Sequence, residues 1–188
     1  MYDVIVIGGG PAGSSAALFV AKAKKSTLLI DNDRGVTRRA LLRNHYGVAE
    51  ITGPDLVEMG HRQARQHGAE LVSATARKVA RVGDRLVVET DQGTYEARHV
   101  VLATGMAADL AEASGATILP GKEPRVKTVV RVDAEGRTGV PGLWAAGTVA
   151  GTSMHTIITA GDGARVAVNL LSELNGARWV DHDVLPPR

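Results

Sequence analysis

A glycine-rich segment near the start of the chain limits the fold more than any other feature. Residues 8–13 read Gly-Gly-Gly-Pro-Ala-Gly and directly follow an apolar, β-rich segment over 2–7. The alanine-rich stretch that follows predicts a helix over 14–24, and a second buried strand is predicted over 27–30. A strand, a glycine turn, a helix and a strand within about 30 residues make one βαβ unit.

Each glycine of the Gly-x-Gly-x-x-Gly spacing has a physical role in this setting. Gly8 permits the tight turn, Gly10 lets a pyrophosphate approach the backbone, and Gly13 lets the helix pack on the strand. Asp31 ends the second strand, 23 residues after Gly8, near the offset of about 20 at which an acid binds ribose. The helix N-terminus offers N–H groups and partial positive charge to phosphates. This pattern predicts a dinucleotide site and leaves NAD and FAD equally open; a ligand-free strand–helix turn is the alternative.

The rest of the chain alternates buried strands with helices, which favours an α/β fold. The predicted elements beyond residue 50 are helices over 53–67 and 153–174 and strands over 69–72, 78–82, 86–90, 94–98, 99–103, 126–132 and 143–146. We predict a single Rossmann-like domain over 1–188 with a parallel central sheet. A small antiparallel β-layer is expected from 78–98 and 126–132.

Composition excludes several classes of protein. The chain has no cysteine, so disulfides, thiolate nucleophiles and zinc–thiolate sites are excluded. The six histidines show no metal-ligand spacing, so no metal is expected. A net charge of +2 with only 3% aromatic residues argues against nucleic-acid binding. No apolar run approaches the roughly 20 residues of a membrane span. No signal peptide is expected, and a reducing cytoplasm suits a chain without cysteine.

Several segments, taken in order, resemble the FAD-contact segments of thioredoxin reductase-type flavoproteins. They are residues 8–13, 44–47 (Asn-His-Tyr-Gly), 53–56 (Gly-Pro-Asp-Leu), 102–105 (Leu-Ala-Thr-Gly), 143–147 (Leu-Trp-Ala-Ala-Gly) and 160–164 (Ala-Gly-Asp-Gly-Ala). The resemblance covers most of the chain and implies FAD as cofactor, a FAD-dependent oxidoreductase function and association as a homodimer. The cofactor-binding residues expected on this basis are Gly8, Gly10, Pro11, Ala12, Gly13, Asp31, Asn44, Val79, Ala103, Thr104, Gly105, Gly147, Thr148 and His155.

His155 is the candidate catalytic residue. The resembled family usually has Gln at this position, beside the pyrimidine edge of the flavin and at the start of the last helix. A helix N-terminus there would stabilise negative charge on reduced flavin, and His155 could add a donor or move a proton near pH 7. The alternative is a histidine that bonds to backbone near the helix cap. Ser153 is the expected N-cap residue.

The departures from the family are as informative as the matches. Gly105 and Gly147 are 42 residues apart, whereas the family inserts an NADPH-binding domain of on the order of 100 residues there. No second glycine fingerprint and no redox-active cysteine pair exist in the sequence. Thr148 stands where the family usually has Asp. We therefore predict the FAD domain alone, without its own NADPH domain or dithiol.

Two electron sources are consistent with this reading: free NAD(P)H that reaches the flavin, or a separate redox partner protein, which we favour. The competing hypothesis is a non-catalytic FAD- or NAD-binding module of a larger redox complex. Arg34, Arg38, Arg39 and Arg43 cluster in a loop that is expected near the cofactor. They form either a solvated basic loop or a rim that binds phosphate or an acceptor.

Overall fold

The computed structural model describes residues 1–186, and its elements follow the predicted order. The strands are β1 (Tyr2–Ile7), β2 (Thr27–Asp31), β3 (Leu41–Leu42), β4 (Ile51–Thr52), β5 (Glu70–Ser73), β6 (Ala76–Val82), β7 (Arg85–Thr90), β8 (Thr94–Leu102), β9 (Ile118–Pro120), β10 (Thr128–Val130) and β11 (Leu143–Ala145). The α-helices are α1 (Pro11–Lys22), α2 (Gly53–Gln66), α3 (Asp109–Ala113) and α4 (Thr156–Asn175), and short 3₁₀ helices span Val36–Arg39 and Gly147–Ala150. The predicted domain extends to residue 188, so its last two residues lie outside the described part.

The main sheet has seven strands in the order β5-β2-β1-β8-β7-β6, with β11 also paired to β8. Strands β5, β2, β1, β8 and β11 run parallel, whereas β7 is antiparallel to both β8 and β6. The predicted α/β fold with a mainly parallel central sheet is therefore confirmed. Strand β5 is the third parallel strand that the sequence predicts.

Strand β8 differs from the prediction of two strands over 94–98 and 99–103. It is one strand of nine residues whose first half pairs with β7 and whose second half pairs with β1 and β11. Its burial rises along the strand, because the first half lies near the sheet margin and the second half crosses the core. No glycine or proline interrupts the strand, so nothing forces a break.

The small antiparallel layer is also arranged differently. Strands β6 and β7 extend the main sheet through β8, whereas β10 pairs with β9 in a separate two-stranded sheet. Segments 78–98 and 126–132 therefore do not share one layer, and the latter forms only the three-residue strand β10. Strands β3, β4 and β9 and helix α3 have no counterpart among the predicted elements.

Helices α1 and α4 cover one face of the sheet and contact each other closely. A Cβ built on Gly163 of α4 would lie 2.0 Å from the carbonyl oxygen of Ala12 in α1. This approach explains a glycine inside a helix, where it otherwise lowers stability. Val6, Ala16 and Leu170 are fully buried in the apolar cluster between these helices and the sheet. The packing fixes the start of α1 at the ends of the parallel strands.

Both of these helices begin at different residues than predicted. Helix α1 starts at Pro11, which suits the first helical position. Helix α4 starts at Thr156, and its N-cap residue is His155, so the assignment of Ser153 as N-cap is wrong. Gly151, with φ +86°, ends the preceding 3₁₀ helix, and the residues up to His155 are extended or irregular.

Candidate functional site

A cleft of about 730 Å³ opens at the carboxyl ends of the parallel strands. This volume lies within the roughly 300–1,000 Å³ that is usual for ligand pockets. The residues that follow β1, β2, β8 and β11 all contribute to its wall. Ligands of open α/β sheets bind at this edge, so the position agrees with the predicted dinucleotide site.

Nine of the fourteen predicted cofactor-binding residues line this cleft. They are Gly8, Gly10, Pro11, Ala12, Asp31, Ala103, Thr104, Gly105 and Thr148. They come from four separate turns of the chain, and the parallel sheet brings those turns together.

Gly13 and Gly147 support the cleft without lining it. A Cβ on Gly13 would lie 1.7 Å from the carbonyl oxygen of Gly8, so only glycine lets α1 pack against the turn. Gly147 has φ +79°, a conformation that side chains rarely adopt, and its N–H donates to Asp162 Oδ2 at 2.7 Å. Gly13 and Gly147 therefore shape the loops, and the neighbouring residues in those loops line the cleft.

Asn44, Val79 and His155 are not among the residues that line the cleft. Val79 of β6 is only 2% exposed and belongs to the core beneath α3. Asn44 is exposed in the loop between β3 and β4. His155 is exposed at the N-cap of α4, and its role toward a cofactor stays a prediction.

The glycine loop fits a diphosphate group. A Cβ on Gly10 would meet no protein atom within 4 Å, because this residue faces the open cleft. Gly10 is also the N-cap of α1, and no side chain caps that helix. The first N–H groups of α1 and the positive end of its dipole are therefore directed at the place where a phosphate can approach.

Asp31 lies at the end of β2, and one of its carboxylate oxygens accepts a hydrogen bond from the glycine loop. Its Oδ1 accepts a hydrogen bond from the Gly9 N–H at 3.0 Å. Its Oδ2 lies 3.9 Å from Arg38 Nη2 and 3.8 Å from His61 Nε2. The acid is thus held at the cleft wall near two basic groups, in the position expected for a ribose-binding residue.

His61 is a residue that the motif analysis missed. It lies on α2, is 6% exposed, and its Nε2 is 2.9 Å from the Gly9 carbonyl oxygen. The signal was present in the helical spacing of Val57, His61 and Ala64, which are all buried and share the inner face of α2. Spacing alone does not show which loop that face contacts, because Gly9 is 52 residues away.

The cleft is also lined by residues that were not among the fourteen predicted cofactor-binding residues. They are Ile7, Gly9, Ile30, Asn32, Arg34, Gly35, Val36, Thr37, Ala74, Ala76, Arg77, Met106, Ala107, Asp109, Leu110, Ala113, Ala146, Met154 and Thr159. Ala74 and Ala76 lie beside Asp31 because β5 pairs with β2. Small apolar side chains there leave room for a flat ring next to the ribose position.

The arginine loop divides into two parts. Arg34 lines the cleft, whereas Arg38 pairs with Asp33 and Arg43 pairs with Glu50 at 2.5 Å. Part of the positive charge is therefore neutralised within the loop, which favours the solvated reading for Arg43. Arg34 can meet a ligand phosphate because it lines the cleft, whereas Arg39 is exposed and is not among the lining residues.

Thr148 lies on the 3₁₀ helix after β11 and is 7% exposed. The buried carboxylate of Asp162 on α4 holds this loop through the Gly147 N–H. Its other oxygen accepts from Arg165 Nε at 2.9 Å and Nη2 at 2.8 Å. The Ala-Gly-Asp-Gly-Ala segment therefore acts on the cleft by fixing the loop that presents Thr148.

His155 is held at the surface by neighbouring polar groups. Its Nδ1 lies 2.8 Å from Ser153 Oγ, which in turn donates to Glu123 Oε2 at 3.3 Å. The next residue, Thr156, bonds through Oγ1 to His45 Nδ1 at 3.0 Å. These contacts tie the start of α4 to two loops; the His155 ring bonds to a side chain and not to backbone, so it does not cap the helix.

Neither a metal-binding cluster nor a membrane-spanning helix is found among the described residues. Within 1–186, no group of three or more His, Asp or Glu side chains is arranged to hold a metal ion. In the same part of the chain, no helix has both the length and the hydropathy that crossing a bilayer requires.

Comparison with known proteins gives one consistent family. A model of the pyridine nucleotide-disulphide oxidoreductase family matches residues 2–129 and 51–164. A thioredoxin reductase from Peptoclostridium acidaminophilum is 38% identical over 126 residues, which make up 65% of this chain and 40% of that protein. A thioredoxin reductase from Listeria monocytogenes is 36% identical over 127 residues, 65% of this chain and 39% of that protein. The chain thus spans about 40% of the length of these curated relatives.

Solved structures agree at the level of the fold. A thioredoxin reductase from Gloeobacter violaceus aligns with a TM-score of 0.79 at 19% identity, over 98% of this chain and 99% of that chain. A ferredoxin-flavin thioredoxin reductase from Clostridium acetobutylicum aligns with a TM-score of 0.73 at 17% identity, over 93% of this chain and 98% of that chain. The family normally binds FAD. The chain belongs to the pyridine nucleotide-disulphide oxidoreductase family, as a domain similar to those of thioredoxin reductases.

Proposed function

We propose that this chain is a FAD-dependent oxidoreductase domain that holds FAD in the cleft and transfers electrons through it. The observation that carries the proposal is the convergence of the glycine loop, Asp31 and Thr148 on one cleft of about 730 Å³. The glycine loop belongs to a segment that resembles a FAD-contact segment, and Asp31 and Thr148 are among the residues expected to bind the cofactor. Bound FAD would supply the redox chemistry, while the protein provides placement and electrostatics.

The residues present suit the parts of this cofactor. Gly10 and the N-terminus of α1 would hold the diphosphate, and Asp31 would accept hydrogen bonds from the ribose hydroxyls. Ala74 and Ala76 would bound the adenine. Thr148, whose hydroxyl can donate or accept, would meet the part of the cofactor beyond the diphosphate.

The electron donor is proposed to be a separate redox protein. The 41 residues between Gly105 and Gly147 contain α3, the β9–β10 hairpin and β11, and a nucleotide domain of on the order of 100 residues does not fit there. A docked partner would supply the geometry that an attached domain supplies elsewhere. One protein of similar fold is named a ferredoxin-flavin thioredoxin reductase, from Clostridium acetobutylicum. Free NAD(P)H is the other donor to test.

The electron acceptor is not a dithiol of this chain, since its 188 residues include no cysteine. Thiol–disulfide exchange needs a thiolate, so any such step would belong to a partner. A homodimer and a cytoplasmic location accompany the proposal as expectations from the family resemblance and the lack of cysteine.

The chain has no cysteine, and it has no room between Gly105 and Gly147 for a nicotinamide domain. These two features also favour a second candidate function. In it, the chain is a non-catalytic FAD- or NAD-binding module whose partner carries the reacting groups. The two candidates differ in whether flavin bound to this chain alone can be reduced and reoxidised.

The test begins with the absorption spectrum of the purified protein. A flavin spectrum that persists through gel filtration is the expected result, and a colourless protein that binds NAD instead would overturn the FAD assignment. Anaerobic stopped-flow mixing with NADH and NADPH then examines the donor. We expect the flavin absorption to bleach slowly or not at all with both nucleotides. A reduced electron-carrier protein should bleach it rapidly. Flavin that no donor reduces would favour the non-catalytic module.

A further inference from the structure

Gly9 of the glycine loop is held from both sides by hydrogen bonds, to the half-buried Asp31 and to the buried Ser14 and His61. Its N–H donates to Asp31 Oδ1 at 3.0 Å, and its carbonyl oxygen accepts from Ser14 Oγ at 2.9 Å. His61 Nε2 lies 2.9 Å from the same carbonyl oxygen. A carbonyl only accepts, so His61 donates here and carries its proton on Nε2.

Steric contact strengthens this arrangement. A Cβ on Gly9 would lie 2.5 Å from His61 Nε2 and 2.6 Å from Asp31 Cγ, so the residue is enclosed between the two side chains. Ser14 and His61 are 5% and 6% exposed. Water therefore cannot readily replace either donor, and the orientation of the carbonyl depends on them.

The orientation of the Gly9 carbonyl fixes the N–H of the next residue. The peptide bond between Gly9 and Gly10 is planar and trans, so its C=O and N–H point in opposite directions. With the carbonyl directed inward to His61 and Ser14, the Gly10 N–H is directed outward. Gly10 lines the cleft and has open space beside it.

We infer that His61 is a positioning residue for diphosphate recognition, acting through the Gly9–Gly10 peptide. Together with Ser14 it turns the Gly10 N–H toward the place of the ligand phosphates. This inference rests on the proposed function, because it takes an adenine dinucleotide as the ligand. Helix α2 does not itself contact the phosphates. The inference nevertheless gives it a role in the affinity of the glycine loop for the diphosphate.

The test compares a ligand that has phosphates with one that lacks them. ADP and adenosine are titrated into flavin-free protein by calorimetry, for the wild type and for His61→Met, which removes the donor. A charge-assisted hydrogen bond that loses its geometry lowers ADP affinity by roughly 10-fold, while adenosine affinity stays unchanged. A general loss of packing would lower both affinities and leave their ratio unchanged.

Three further variants control the experiment. His61→Gln keeps an N–H donor of similar reach and should restore most of the wild-type ratio. Ser14→Ala removes the second donor and should lower ADP affinity in the same selective way, also if His61→Met fails to fold. Val57→Ala truncates another buried residue on α2 that bonds to no loop group, and it should leave the ratio unchanged.

The outcomes separate this inference from the proposed function. An unchanged ratio in both His61→Met and Ser14→Ala, or an equal loss for both ligands, would overturn the inference while FAD binding stands. A wild-type protein that binds neither FAD nor ADP would overturn both. A selective loss of ADP affinity that His61→Gln reverses confirms the positioning role.

Discussion

The buried carboxylate of Asp162 gives the sharpest test of how the cleft is held together. Substitution Asp162→Ala removes the acceptor of the Gly147 N–H, which lies at 2.7 Å in a buried position. It also removes two bonds to Arg165, whose side chain is 41% exposed and can turn to water instead. The loop that presents Thr148 then loses its hydrogen bond to α4.

The magnitude follows from these contacts. An unsatisfied buried N–H costs about 1–3 kcal/mol, and the exposed part of the ion pair adds at most about 1 kcal/mol because solvent screens it. The free energy of unfolding should therefore fall by about 1–4 kcal/mol. For a chain of this size that corresponds to a decrease in melting temperature of roughly 2–16 °C.

The assay is urea unfolding followed by circular dichroism, with FAD affinity measured in parallel. Glu173→Ala is the matched control, because Glu173 is an exposed acid on the same helix that also pairs with an arginine. Its effect should stay within about 0.5 kcal/mol. The reasoning is refuted if Asp162→Ala destabilises no more than Glu173→Ala, or if it leaves FAD affinity untouched.

Three further predictions address the core, the turn and the site. Burial lowers the pKa of His99, which accepts a hydrogen bond from Trp144 Nε1 at 3.2 Å. Stability should therefore be constant above the unfolded pKa of about 6.5 and fall as pH drops below it, because the unfolded chain binds the proton more readily. Urea unfolding should show a shallower fall in His99→Gln, and an equal slope would contradict this. Gly13→Ala should prevent proper folding, since its Cβ would lie 1.7 Å from the Gly8 oxygen; a native-like melting curve would show that the turn adapts. Thr148→Asp should tighten FAD by up to about tenfold through one charge-assisted bond, as measured by flavin fluorescence, whereas Thr148→Val should weaken it. Weaker binding by the Asp variant would mean that repulsion from the phosphates dominates.

The features that the sequence could predict are those within one short unit of chain. The glycine turn, α1 and Asp31 lie within about 30 residues, and the rules of strand–helix packing place them at one sheet edge. Segments 102–105 and 143–147 also reached the cleft as expected, because each follows a buried parallel strand.

The features that escaped prediction depend on contacts between distant segments. His61 meets Gly9 across 52 residues, and periodicity shows only that its face is buried. Strand β8 is continuous because it has different partners along its length, which composition does not reveal. Helix α4 begins at Thr156, three residues after the predicted start; Gly151 ends the preceding 3₁₀ helix, and Ser153 bonds to the distant Glu123.

One substitution tests most directly whether the cleft binds FAD by its diphosphate. Gly10 has φ −69°, which any residue adopts, and a Cβ there would meet no protein atom within 4 Å. Gly10→Asp should stabilise the flavin-free protein slightly, because Asp is a better N-cap residue than Gly. The same carboxylate would occupy the place of the phosphates and repel them.

Equilibrium FAD titration of the wild type and Gly10→Asp, with thermal unfolding of each, is the decisive measurement. We expect the wild type to bind FAD and the variant to lose that binding while its melting temperature is equal or higher. FAD affinity that is unchanged in Gly10→Asp, or absent in the wild type, would contradict the account.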